Sequence, residues 1–169
     1  GDYDSPEGEI FNSHSRIGNG GGGFGWFGDK MFFGVDSRYD DGLNGVPFAQ
    51  ELHQEGEGQG EVNIERIALD SRRQSYRLDW GLNDLGSTLE NFVLKLSYTD
   101  WEHSELEFFG DAVPQVGTIF GNNQFVFRGT FEQRKKGPLS GRFGFWGIER
   151  DYDVVGEEAL SPPVDQSGF

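Results

Sequence analysis

Cysteine is absent from the 169 residues, which excludes disulfides and thiolate metal sites and leaves the redox compartment open. Long hydrophobic runs are missing as well. With no 18-residue apolar stretch there is no candidate transmembrane helix, and no signal peptide is visible. Basic residues are scarce, 14 Lys and Arg against 29 Asp and Glu, giving a formal charge of −15 and a pI near 4.4. Nucleic acid would be repelled by such a chain, so it is not an expected partner, and cations or cationic surfaces fit better. The apolar share is only 34%, with one Met, yet there are 16 Phe, 4 Trp and 5 Tyr beside 27 Gly. Aromatic residues must supply much of the burial. Gly costs about 1 kcal/mol relative to Ala inside a helix, so the composition predicts an all-β fold. A membrane stays possible on these terms, because transmembrane strands need only about 9–11 residues and alternate rather than run apolar.

The pattern is clearest in Tyr76–His103. Tyr76, Leu78, Trp80 and Leu82 alternate with Arg77, Asp79, Gly81 and Asn83, and Phe92, Leu94, Leu96 and Tyr98 alternate with Val93, Lys95, Ser97 and Thr99. Successive strand side chains point to opposite faces, so each arm has one apolar and one mainly polar face. Residues 83–87, Asn-Asp-Leu-Gly-Ser, supply the turn. Pairs whose numbers sum to 174 set Tyr76 opposite Tyr98, Leu78 opposite Leu96, Trp80 opposite Leu94 and Leu82 opposite Phe92.

Similar hairpins flank it. Residues 1–14, polar and acidic with Pro6, read as a loop. In Gly18–Gly28, Phe24 and Trp26 alternate with Gly, which predicts a strand with one bare face. A Gly28-Asp29 turn, with pairs summing to 57, leads into a second strand over Lys30–Tyr39. Residues 42–61 read as a long surface connection. The third strand is expected over Val62–Leu82 and the fourth over Leu89–Leu106, both far longer than the usual five or six residues. After a connection at 108–117, the fifth strand covers Thr118–Glu132 and the sixth Leu139–Val155, with pairs summing to 270 that set Phe125 against Phe145, Phe127 against Phe143 and Phe131 against Leu139. Val164–Phe169 begins a possible seventh. The expectation is one domain over residues 1–169, an antiparallel meander of six to seven long strands in three hairpins, either barrel-like or an open sheet completed by other copies. A two-layer β-sandwich would bury the same stripe.

In a meander, alternate connections share an end, so the short turns lie at one end and the long connections at the other. The long-connection end carries Asp36, Asp40, Asp41, Asp100, Glu102, Glu105, Glu107, Glu149, Asp151, Asp153, Glu157 and Glu158. The basic run Arg134-Lys135-Lys136 sits at the short-turn end.

These residues resemble the β-barrel part of TonB-dependent outer-membrane receptors, in particular the zinc-uptake-like branch. The matching stretches are Gly25–Pro47, Arg77–Glu107, Gly117–Gln133 and Leu139–Phe169, with "YTDWEH" (98–103) and "GEEALSPP" (156–163) the most suggestive. The resemblance implies a segment of a nutrient or metal receptor barrel in the bacterial outer membrane, with outer-membrane lipid around it. It covers about a third of such a barrel, without a plug domain, an energy-coupling box or the remaining strands. Those absences, and a start at Gly1 rather than Met, lead to the expectation of an excised or repurposed piece. Six or seven strands also fall short of eight, the usual smallest barrel. The alternative expectation is therefore a self-assembling structural protein at the cell surface or outside it, a filament or ring whose copies pair through their edge strands.

No catalytic residues are expected, since no Ser-His-Asp spacing appears, and Gly18–Gly25 lacks the Lys-Ser/Thr and helix of a phosphate loop. His14, His53 and His103 fall in or beside expected loops with carboxylates nearby, a set that suits zinc. Asp40-Asp41 and the pair Asp151 and Asp153 offer oxygen ligands for calcium. His53, His103, Asp151 and Asp153 are the metal candidates, and solvated loop histidines and a solvated acidic face are the favoured reading.

Overall fold

The period-two alternation is realised as strands, and no helix occurs among the described residues. The computed structural model describes residues 2–47, 65–109, 113–156, 159 and 162–169. Strands β1 (Tyr3–Ser5) and β2 (Gly8–Ile10) form a small hairpin where the sequence predicts a loop. Seven more strands follow: β3 (Ser15–Phe27), β4 (Met31–Val46), β5 (Arg66–Asn83), β6 (Leu89–Phe108), β7 (Gln115–Gln133), β8 (Arg142–Gly156) and β9 (Val164–Gly168). They lie in chain order, each antiparallel to the next. The fold is thus an all-β antiparallel meander. Because β3 and β9 do not pair with each other, the sheet is open.

The central register is as the alternation predicts, with Tyr76 opposite Tyr98 and Leu82 opposite Phe92. The turn between them uses left-handed backbone at Asp84, φ 56°, a conformation that Asp tolerates better than most residues. The two outer hairpins differ from expectation. In the first, Trp26 faces Phe33 and Phe24 faces Val35, because the two-residue loop is Asp29-Lys30. The Gly28 amide donates to the Met31 carbonyl at 2.9 Å, and the Asn83 amide of β5 holds the Lys30 carbonyl at 2.8 Å. In the third, Phe125 faces Glu149, Phe127 faces Gly147 and Phe131 faces Phe143. Here Gly137-Pro138 makes its own tight turn, bridged by Lys136 and Leu139, so β8 begins at Arg142 instead of Leu139. Both slips move pairs by even steps, which preserves the faces. Residues 48–64, including most of the expected 42–61 connection and the start of the third predicted strand, lie outside the described residues.

A single layer leaves almost nothing enclosed. Ala68 is the one buried apolar residue among those described. The chain exposes 12166 Å², against about 8,300 Å² for a folded monomeric protein of its mass. Among the described residues no second sheet covers either face, so the sandwich arrangement is not what forms.

Of the enclosed polar residues among those described, Thr118 lies on β7, and Asn12 and Ser13 lie where β1–β2 meets the long-connection end. Asn12, 4% exposed and in left-handed backbone, donates from Nδ2 to the carbonyls of Val46 at 2.9 Å and Ile67 at 2.7 Å, capping the β4–β5 ladder. Asp2 accepts from the backbone amides of Asn12 and His14 at 3.1 and 2.8 Å. Burial raises the Asp2 pKa, but the amides of Asn12, His14 and Ser13 and the nearby His14 ring outweigh it and hold the carboxyl below its ordinary 3.8. A depressed carboxyl pKa contributes stability that is present above the unfolded value and lost as pH falls through the folded one. Protection factors of the Asn12 and His14 amides, taken relative to the unfolded-chain exchange rate at each pH, are therefore expected to hold above pH 3.8 and to fall below it. Asp2→Asn is expected to remove this pH dependence; an unchanged profile in that variant would mean Asp2 is not the clamp.

Candidate functional site

Directly opposed residues share a face, so the register sorts every strand residue. Toward the short turns one face is a ladder of rings and branched side chains. Trp26 meets Phe33 with centroids 6.1 Å apart, Trp80 meets Phe92 at 6.0 Å, Phe92 meets Phe131 at 4.4 Å and Phe131 meets Phe143 at 5.1 Å. Phe33 lies directly opposite Trp80, which joins the β3–β4 rings to the rest. Leu78, Leu94 and Leu96 fill the middle. From Leu82 to Tyr76 this band runs about 20 Å along the strand at roughly 3.3 Å per residue, on the scale of the roughly 25 Å apolar girth of transmembrane barrels.

Tyrosines mark its far border. Tyr76 and Tyr98 stack with centroids 6.5 Å apart, and Tyr39 stands beside them on β4, opposite Gln74. The Tyr76 hydroxyl donates to Gln74 at 3.2 Å and the Tyr98 hydroxyl to Asn123 at 3.3 Å. Both hydroxyls thus engage the polar side, while the rings extend the apolar side. Beyond the border the same face turns acidic, carrying Asp41, Asp70, Asp100, Glu102, Glu149, Asp151 and Asp153. Asp151 even stands directly opposite Asp165. Arg72 reaches Glu102 at 3.3 Å, but both are exposed, so the pair contributes about 1 kcal/mol at most.

The opposite face mixes signs. Lys95 pairs with Asp79 at 3.0 Å, Arg142 with Glu132 at 3.1 Å and Arg38 with Asp40 at 2.8 Å. Arg150 donates to Asn122 at 2.6 Å. At the turn end Arg134 holds the neighbouring 83–87 turn, donating to the Gly86 carbonyl at 2.9 Å and pairing with Asp84. The basic run expected at this end is therefore partly used to tie two turns together.

Three buried glycines sit under aromatic rings: Gly81 under Phe32, Gly129 under Phe145 and Gly147 under Phe127. A Cβ at these glycines would meet the ring at 2.2, 2.3 and 2.3 Å respectively. In each case glycine and ring are directly opposed across the ladder. Sequence reasoning aligned ring with ring and missed these pairs. The signal was available in Phe127-x-Gly129-x-Phe131 facing Phe143-x-Phe145-x-Gly147, two arms that complement each other only when offset.

The metal candidates are not brought together. His103 is inside β6 rather than beside a loop, stacked on Trp101 at 5.6 Å and tilted against Phe120 at 5.8 Å. Asp151 and Asp153 lie within β8 on the other face of the sheet. His14 stands 3.5 Å from Asp2 in the β2–β3 connection, and His53 lies outside the described residues. Among the described residues no group of three or more His, Asp or Glu could hold a metal ion.

No protein-family model matches the chain, and no curated protein matches it either.

Proposed function

We propose that this chain is a wall segment of a transmembrane β-barrel, of the TonB-dependent receptor type whose barrel it resembles, with the aromatic band toward lipid and the charged face toward the lumen. The observation that carries this reading is the banding of one face: rings near the short turns, a tyrosine border with its hydroxyls on polar partners, then carboxylates. Lipid accepts the first, the interface suits the second, and water is needed for the third. A whole receptor of that type would capture a scarce nutrient or metal at the outer surface and import it.

Trp80 and Trp146 provide the test, since they stand at similar depth on opposite faces of the sheet. Variants retaining one or the other as their single tryptophan are placed in vesicles with brominated acyl chains. Trp80 fluorescence is expected to be quenched several-fold more than that of Trp146. Equal quenching, or none, would sink the membrane reading.

A second reading, the self-assembling structural protein, is favoured by the uncovered edge at Arg142–Gly147 of β8. Strand β9 pairs only with Ile148–Tyr152, and β3 has a neighbour on one side only. Free edges are templates for another strand. Strand β3 runs antiparallel to β8, so a second copy's β3 laid on 142–147 would continue the alternation with the aromatic halves aligned. Sedimentation and imaging without detergent distinguish the readings: soluble filaments or rings support this one, and aggregation relieved only by detergent or lipid supports the membrane.

A further inference from the structure

Among the described residues, cations on the charged face have acidic or amide partners close by, with one exception. Arg77 stands opposite Asp36 and Arg73 opposite Asp40, Lys95 is paired with Asp79, Arg142 with Glu132, Arg38 with Asp40, and Arg150 with Asn122. Arg128 is different. Its direct neighbours across the ladder are Lys95 on β6 and Trp146 on β8. Its diagonal neighbours are Val93, Ser97, Gly144 and Ile148, and along its own strand come Val126 and Thr130. None is a carboxylate. Like charges directly opposed destabilise a sheet; Lys95 is offset by Asp79, which leaves Arg128 as the member of this pair with no acidic residue among its neighbours.

The space for an anion exists. A groove of about 590 Å³ opens over Gly144 and Thr130, walled by Arg128, Arg142 and Trp146. Gly144 offers no side chain to fill it. Trp146, 56% exposed, presents an uncovered indole there. We propose that Arg128, with Lys95 beside it, binds the carboxylate or phosphate of an organic anion whose flat, apolar body rests on Trp146 above Gly144. The guanidinium supplies a planar fork of donors matched to such groups, and the indole supplies a surface for a ring. The site stands on the local register and needs neither reading of the whole chain.

Benzoate and its neutral isostere benzamide are the probes, titrated into the purified chain in non-ionic detergent at low salt. Arginine side-chain and tryptophan indole resonances are followed by NMR. Benzoate is expected to shift the Arg128 and Trp146 signals saturably, with benzamide about tenfold weaker or more. R128Q is expected to lose about tenfold in benzoate affinity, K95Q and W146L to lose several-fold, and R38Q, on β4 and outside the groove, to stay near the parent. Should R128Q lose its strand circular dichroism, K95Q and W146L decide the matter. Equal response to the two probes, no saturation, or unaltered affinity in these variants overturns the site.

Discussion

Leu94→Arg is expected to release the chain from lipid vesicles in a flotation assay, while Ser97→Arg leaves it bound. Leu94 lies in the middle of the aromatic band, directly opposite Trp80 and Gly129, and Ser97 is on the charged face three residues on. An arginine turned toward the bilayer midplane costs about 2–4 kcal/mol, and one turned to a wet lumen costs little. At 1.4 kcal/mol per tenfold this is a loss of roughly thirtyfold to several hundredfold in partition. The paired design matters because both variants change net charge equally, so a generic electrostatic effect would move them together. Matching flotation of the two would mean that the band does not face lipid.

Gly129→Val is expected to be the most disruptive of the small substitutions, lowering stability by about 1–3 kcal/mol, the usual cost of overpacking. Its new Cβ would start 2.3 Å from the Phe145 ring. The ring must swing away, which disturbs its contact with Phe127, 6.3 Å between centroids. The comparison is Gly20→Val on β3, where the added Cβ meets nothing within 4 Å. That variant should be neutral or slightly stabilising, since Val suits a strand and restricts the unfolded chain. Urea midpoints in detergent check both. A Gly129 variant no weaker than the Gly20 variant would show that the ring does not depend on the glycine beneath it.

Much of the architecture is written in the alternation. The hairpin at residues 76–103 has both arms strongly patterned and a turn of Asn, Asp and Gly, so apolar face, turn and register could all be read together. The flanking hairpins kept their faces but not their registers. A face depends on odd or even position, which any even slip preserves, whereas register depends on hydrogen bonds at the turn. Those bonds involve the Lys30 carbonyl held from β5 and the bridge around Gly137-Pro138, neither visible within a single hairpin. The small β1–β2 hairpin was hidden for a similar reason: it is fixed by Asn12 and Asp2 through contacts with distant strand ends and with its own backbone, not by a periodic pattern. Histidine and carboxylate positions were legible, but their sides were not used. Placing His103 and Asp151 on strands puts them on opposite faces, and proximity in composition then means nothing.

The border of tyrosines has a directional consequence on the membrane reading. Carboxylates stand beyond it on β4, β5, β6, β7's partner β8 and β9, whereas the other end is a set of compact turns, with Arg134 already tied to Asp84. A sheet entering a bilayer must carry one end through the hydrocarbon, and the acidic end would have to discharge or desolvate many groups at once. Barrels of the proposed type keep their short turns on the periplasmic side from which the chain arrives, so the acidic end is the one carried across. Insertion is therefore the step these carboxylates oppose, and the tyrosines mark where the crossing ends.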